Sequence, residues 1–326
     1  MDRVAEATGF SGVVRVDRPG RESLVAAHGH AHRGWAIANR PEHRFAMASG
    51  SKGFTALAVM GLVEDGVLAL STPARDLLGE DLPLIDDRVT VEHLLAHRSG
   101  IGDYLDEDAG HDIDDHVLTV APHELVTSDD YLAVLDGHPQ VFPPGERFAY
   151  NNGGFVVLAL LAERASGTAF CDLVDQRVCA PAGMVDTAYG RSDVQPGGLA
   201  VGYLQDGERT NAHHLPLRGS GDGGAHTTVA DMAAFWEALL AGRIVTPGTV
   251  AEMVRPRSDA PLQGSRYGLG LWLHVTEDVV LLVGCDAGVS FRSVVDPRRR
   301  ITHTVVANTS SGAWPLTRLL DELLAN

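Results

Sequence analysis

The stretch RFAMASGSKGFTALAV, residues 44–59, opens a helix and sets two reactive side chains in its first turn. Phe54, Leu57, Ala58, Val59, Leu62 and Val63 recur at helical spacing. The pattern predicts a helix from Ser49 to about Glu64, with Gly66 just past its end. Ser49 and Lys52, three residues apart, share a face of that helix. Lys52 is also the chain's single lysine, against 25 arginines. Arginine replaces lysine as a surface charge, but not as an amine that must lose its proton, because guanidinium stays charged. A neutral amine at this place can take the Ser49 proton, and a helix N-terminus favours the negative charge that develops. Ser51, next to Lys52, points elsewhere and is the weaker nucleophile. The plainer reading makes Ser49 an N-cap and Lys52 a solvated charge, since S-x-x-K is short and frequent by chance.

Working outward, residues 10–16, 23–27 and 33–38 read as short strands broken by Pro19-Gly20 and Gly29. From about 73 to 214 the pattern is helical and loop-rich. It includes a short buried helix at Val91–Ala96 and a longer one from about Gly154 to Ala165, after two asparagines and before Gly167. Thr228 and Asp231 start a helix over 229–241 in capping-box fashion. Strands return at 266–275, 279–284, 289–295 and 301–307, and a final amphipathic helix covers Pro315 to Leu324. Strands, then helices, then strands predict an α+β fold. It has an antiparallel sheet of five or more strands flanked by helices and built from both chain ends (1–72 and 215–326), with a mainly helical region (73–214) inserted.

Composition narrows the function. The chain has 326 residues and a formal charge of −17, which disfavours nucleic acid and anionic membranes as partners. No apolar run reaches the ~18–20 residues of a membrane span. Cys171, Cys179 and Cys285 form neither an even set nor a CxxC, so no disulfide framework or zinc site is expected. MDRVAEATGFSG lacks an apolar signal core. The expectation is a cytoplasmic chain, or an exported one whose leader has been removed.

A second motif, Tyr150-Asn151-Asn152, follows the Pro143-Pro144-Gly145 turn and precedes the 154–165 helix. A phenol beside an ammonium loses its proton more easily and can act as a base, with an amide side chain holding a substrate carbonyl. Otherwise Asn152 caps the helix and Tyr150 is a half-buried aromatic. With Ser49-x-x-Lys52 and Tyr150-x-Asn152 together, the chain resembles the penicillin-recognising serine hydrolases, in the branch of class C β-lactamases, DD-peptidases and β-lactamase-like esterases. FSGVVRV (10–16), VEHLLAHRSGI (91–101), FPPGERFAYNNGGFVVLALL (142–161), PAGMVDT (181–187) and GDGGAHTTVADMAAF (221–235) extend the resemblance along nearly the whole chain. It implies acylation of Ser49, proton transfer shared by Lys52 and Tyr150, substrate contact by Asn152, and an oxyanion hole from the Ser49 N–H plus one from a later strand.

That family's third motif is Lys-Thr-Gly, His-x-Gly or Trp-x-Gly. Its match here is Asp286-Ala287-Gly288, with Val289 N–H as the second oxyanion donor; another register puts Cys285 at the variable position, and Arg292 is a possible cation. A carboxylate at Asp286 repels an acidic substrate. The expected substrate is therefore a small neutral or cationic ester, amide or short peptide. A DD-carboxypeptidase or class C-like β-lactamase and a non-catalytic binding protein are the alternatives. No cofactor and no metal are expected. His93 and His97, four apart, lack an HExxH; His28, His30 and His32 suit an exposed strand; the acidic run 103–116 reads as a surface loop without EF-hand spacing. No G-x-S-x-G occurs, and the glycine cluster 219–224 reads as close backbone packing near the cleft.

Overall fold

The first strand of the chain and the last pair with each other, so one sheet is built from both chain ends. The structure, a computed structural model, describes all residues except 106, 108, 109, 111, 195, 206, 261–263, 325 and 326. In chain order it begins with α1 (Asp2–Thr8), β1 (Gly12–Asp17), β2 (Leu24–His28), β3 (His30–His32), β4 (Ile37–Ala38) and β5 (Phe45–Ala46). A single 3-10 turn, Ala48–Ser51, leads into α2 (Lys52–Glu64). Then come α3 (Arg75–Leu78), α4 (Val91–Leu95), α5 (Leu132–Leu135), α6 (Asn152–Ser166), α7 (Phe170–Val174) and α8 (Ala180–Ala182). The last part holds β6 (His226–Thr227), α9 (Val229–Leu240), α10 (Pro247–Met253), β7 (Ser258–Ala260), β8 (Ser265–Tyr267), β9 (Trp272–Leu273), β10 (Val280–Asp286), β11 (Val289–Asp296), β12 (Ile301–Ala307) and α11 (Trp314–Leu324).

Eight strands form one sheet in the order β2-β1-β12-β11-β10-β9-β8-β7. Every pairing in it is antiparallel. The expected antiparallel sheet of five or more strands flanked by helices is thus present, with eight strands. Strands β1, β11 and β12 are largely buried on both faces, in keeping with their content of valine. One face packs Val14, Val16 and Val305 against Ala5 of α1 and Leu316 and Leu320 of α11. The other packs Val13, Leu282, Phe291 and Val306 into the main core with α2, α6 and α9. Helix α2 lies inside that core and buries every residue from Lys52 to Leu62, so it is apolar nearly all round rather than on one stripe.

The structure departs from the sequence reading in three places. Residues 266–275 form two short strands, not one, because the chain turns at Gly270 (φ +74), where a Cβ would come within 2.1 Å of the Ala56 side chain on α2. Helix α1, ended by a left-handed Gly9, occupies the segment that gave no strand signal. The third N-terminal strand is the small β3–β4 ribbon, outside the main sheet. Asp106, Asp108, Ala109 and His111 of the acidic run lie outside the described residues.

Candidate active site

The 3-10 turn that carries Ser49 is held at both ends. Met47 N–H donates to Ala225 O (3.0 Å), Gly50 N–H to Met47 O (2.8 Å), and the β5–β6 ribbon fixes the approach. Ala48 takes φ +43, a conformation costly for a residue with a Cβ, and such strain concentrates at functional sites. Ser51 Oγ donates to Ala48 O (2.8 Å) and accepts from Ala225 N–H (3.2 Å). It holds the turn, in keeping with its direction away from Lys52.

The Lys52 side chain is 2% exposed and meets three oxygens. Nζ lies 2.9 Å from Ser49 Oγ, 2.7 Å from Asn152 Oδ1 and 2.8 Å from Asp222 O. Burial pushes its ammonium below the usual lysine range, against the opposing charges of Asp222, Glu107, Asp103 and Asp286. Asn152 is oriented by its other end: Nδ2 donates to Leu105 O (2.9 Å) and Glu107 Oε1 (3.1 Å). Both amide hydrogens are thereby taken, so Oδ1 must face the lysine and no amide N–H remains for a substrate carbonyl. That differs from the substrate contact expected of Asn152. Nor does Asn152 cap α6. Asn151 does so, accepting from Gly154 N–H (2.6 Å), while Asp103 accepts from Asn152 N–H (2.6 Å) and Gly153 N–H (2.8 Å). Three free N–H groups of the helix start are satisfied in this way. Burial still raises the Asp103 carboxyl to about 7.

Tyr150 lies with its ring under the lysine, Nζ being 4.9 Å from the ring centroid, and stacks on Trp272 (5.8 Å, 16°). The expected acidification does not occur. Burial, then Glu107 and Tyr267, push the phenol well above its usual range, and the Ser49 hydroxyl only partly opposes them. Burial is the dominant cause, and the lysine lies over the ring face.

The third segment runs along the turn that carries Ser49. At Gly284 a Cβ would come within 2.1 Å of Met47 O and 3.0 Å of Ser49 N, so β10 touches the serine backbone there. Ala287 and Gly288 form a two-residue turn that closes β10 on β11 with Asp286 opposite Val289. A hairpin of this kind closes on a hydrogen-bonded pair. Val289 N–H therefore points across the hairpin, and Gly288 N–H donates to Ser310 Oγ (2.8 Å). Neither faces Ser49, which corrects the donor expected from the sequence. Ladder alternation leaves Cys285 N–H on the outer edge of β10, past the end of β9, which pairs only with Val280 and Leu281. Arg292 is also displaced from the site: it pairs with Asp321 of α11 (2.6 Å).

Ser49, Asn152, Asp222, Cys285 and Asp286 line one cavity of about 600 Å³, and Gly288 and Val289, expected in the site from the sequence, line it too although their N–H groups are directed elsewhere. Burial raises the Asp286 carboxyl to about 7, with Asp222 and Glu107 adding to the effect. Asp222 and Glu107 had no motif to announce them. Asp222 sits in the glycine cluster, whose Gly221 lies so close to Phe155 O that a Cβ would come within 1.9 Å of it. His93 Nδ1 accepts from Thr90 N–H in a helix cap (3.2 Å), and His97 lies past the helix end, so the two do not form a metal pair. Among the described residues no group of three metal-ligating side chains is placed to hold an ion.

An eight-stranded antiparallel sheet flanked by helices, with a half-buried serine beside a buried lysine at the start of its core helix, is the architecture of β-lactamase-type hydrolases. The chain belongs to the Beta-lactamase family, whose model matches residues 1–325. It is similar to a crystal structure of a penicillin binding protein from Bacillus halodurans, with a TM-score of 0.92 and 34% identity over 99% of both chains. It is 29% identical to esterase EstB of Burkholderia gladioli over 79% of this chain and 76% of that one. It is likewise 29% identical to a D-aminopeptidase of Brucella ovis, over 82% of this chain and 50% of that one. The curated relatives it matches are longer: the chain spans between 49% and 76% of their lengths.

Proposed function

We propose that the chain is a serine hydrolase that forms an acyl-enzyme on Ser49 and acts on a small neutral or cationic ester or amide. The observation that carries this reading is the set of partners around Lys52 Nζ. Asn152 Oδ1 and Asp222 O can only accept hydrogen bonds. A neutral amine spends both hydrogens on them and turns its lone pair to the Ser49 hydroxyl. Ser49 gives its proton to Lys52 as Oγ bonds to the carbonyl carbon, and the carbonyl π pair moves onto oxygen. Ser49 N–H and Cys285 N–H stabilise that oxyanion. On collapse the bond to the leaving group breaks, and the proton passes from Lys52 through the neutral Tyr150 hydroxyl to the departing oxygen or nitrogen. Water then attacks the acyl carbon as it gives a proton to the same amine, the bond from that carbon to Ser49 Oγ breaks, and Lys52 returns the proton to Ser49 Oγ. Intact-mass labelling with a fluorophosphonate tests the nucleophile: one adduct on the wild type and none on Ser49→Ala is expected. An adduct that persists in Ser49→Ala, or no adduct and no turnover of nitrophenyl esters by the wild type, overturns the reading.

Substrate charge is set by the cavity wall. With Lys52 neutral, the carboxylates of Glu107, Asp222 and Asp286 line the cavity beside Ser49, while its two arginines are engaged elsewhere, Arg44 on Gly197 O and Arg191 on Asp193. Matched esters that differ only in carrying an ammonium, a neutral amide or a carboxylate should be turned over in that order. Asp286 titrates near 7, protonated and neutral below that pH and charged above it, so the ammonium preference should grow from pH 6 to pH 8. Asp286→Asn should flatten this trend and narrow the ratio by roughly 10-fold, the scale of one close charge pair. Faster turnover of the acidic ester, with no change in Asp286→Asn, would exclude a role for Asp286 in charge selection.

A further inference from the structure

His97 takes no part in the steps above, yet it is built around Tyr150. It follows α4 at φ +53, a conformation rare for a side chain of this kind, and is 1% exposed. Its carbonyl accepts from Ala149 N–H (2.9 Å) and its ring Nδ1 accepts from Asn151 N–H (3.1 Å). Those are the peptide N–H groups on either side of Tyr150. The same ring tilts against the Tyr150 ring at 4.4 Å and is backed by Phe155 and Tyr267, each at 4.8 Å.

We propose that His97 is a positioning residue that holds Tyr150 in place beside Lys52 and Ser49 by gripping the backbone on both sides of it and packing on its ring. The proposal rests on the reading of Tyr150 as the proton relay. Nδ1 is an acceptor, so the neutral ring carries its proton on Nε2. Nε2 has no hydrogen-bond partner in the structure and belongs to a ring enclosed by aromatics. The groups facing it are Tyr150, Tyr267, Phe148 and Phe155, with Lys52 as the nearby charge. Burial and Lys52 keep the ring uncharged far below the usual histidine range. Protonation would replace the acceptor with a donor aimed at the Asn151 N–H.

Glycine and asparagine both tolerate the left-handed backbone, but only asparagine offers an oxygen near the Nδ1 position. His97→Gly is expected to lose about 100-fold in kcat, with KM within about twofold of wild type, as a misplaced catalytic group does. His97→Asn should regain at least about 10-fold of that loss, and both should keep the wild-type pH limbs. The rate of fluorophosphonate labelling of Ser49 should follow kcat. Equal activity in the two variants, an unchanged kcat in His97→Gly, or a pH limb lost in His97→Asn overturns the proposal. If His97→Gly does not fold, His97→Asn decides alone: folded with kcat within about 10-fold of wild type supports the proposal, and a larger loss overturns it. A wild type whose serine is not labelled points instead to failure of the serine-hydrolase reading itself.

Discussion

Lys52→Arg should retain the fold and lose at least ~10³-fold in kcat/KM, the scale of a general base removed from the transition state. The argument is about protons, not charge. Lys52 is 2% exposed and its ammonium is pushed down by burial, which makes an amine that can exchange a proton with Ser49 at 2.9 Å. A guanidinium has no lone pair to offer at any working pH, and its planar fork cannot satisfy Ser49 Oγ, Asn152 Oδ1 and Asp222 O from one atom. The longer side chain adds overpacking of roughly 1–3 kcal/mol, so a lower melting temperature must be measured beside the kinetics. Lys52→Met separates the two effects, since it fills the space with neither charge nor base. Arg and Met variants that are equally inactive, both still folded, fit proton transfer. An Arg variant far more active than Met would mean that the site needs a positive charge and not a base, and near-wild-type turnover would leave the lone lysine an accident of codon usage.

How much of this site the sequence could show depended on range. Ser49 and Lys52 were legible because three residues on one helical turn fix their relation, and Tyr150 and Asn152 because they precede a strongly apolar helix. The sheet was legible at β1, β11 and β12, which are six to eight residues long and rich in valine, and not at β7 to β9, whose strands are two or three residues long. The protonation of Tyr150 came out reversed. A sequence carries proximity along the chain but not burial, nor which part of a ring a cation meets. The partners that orient the lysine, Leu105 O through Asn152 and the carbonyl of Asp222, are contributed by loops and include a main-chain atom that any residue supplies. The Val289 donor failed for a different reason: β10 runs two residues further than its apolar pattern, and the turn at Ala287 and Gly288 redirects the amides after it.

Gly284→Ala should lower kcat/KM by about 100-fold through a single methyl group, because a shift of roughly 1 Å at a reacting group is worth that much. Gly284 lies on β10 with no left-handed backbone to excuse it; the constraint is space. The added Cβ would come within 2.1 Å of Met47 O, 2.8 Å of Gly50 N and 3.0 Å of Ser49 N. All three are main-chain atoms of the turn that aims the serine, so no side chain can swing aside. Either the turn retreats, moving Ser49 Oγ from Lys52, or β10 retreats, carrying the Cys285 N–H from the position of the oxyanion. Both routes strike the transition state more than the fold, for which overpacking predicts a loss of about 1–3 kcal/mol. The sign is diagnostic, since Gly→Ala at a compatible backbone position stabilises a protein by about 0.4–1 kcal/mol. Gly197→Ala supplies the comparison: nothing lies within 4 Å of its Cβ, and it should match wild type in turnover with a slightly higher urea midpoint. A Gly284→Ala enzyme with wild-type kcat/KM would show that β10 and the serine turn can part without cost, and the Cys285 amide would then lose its place in the mechanism.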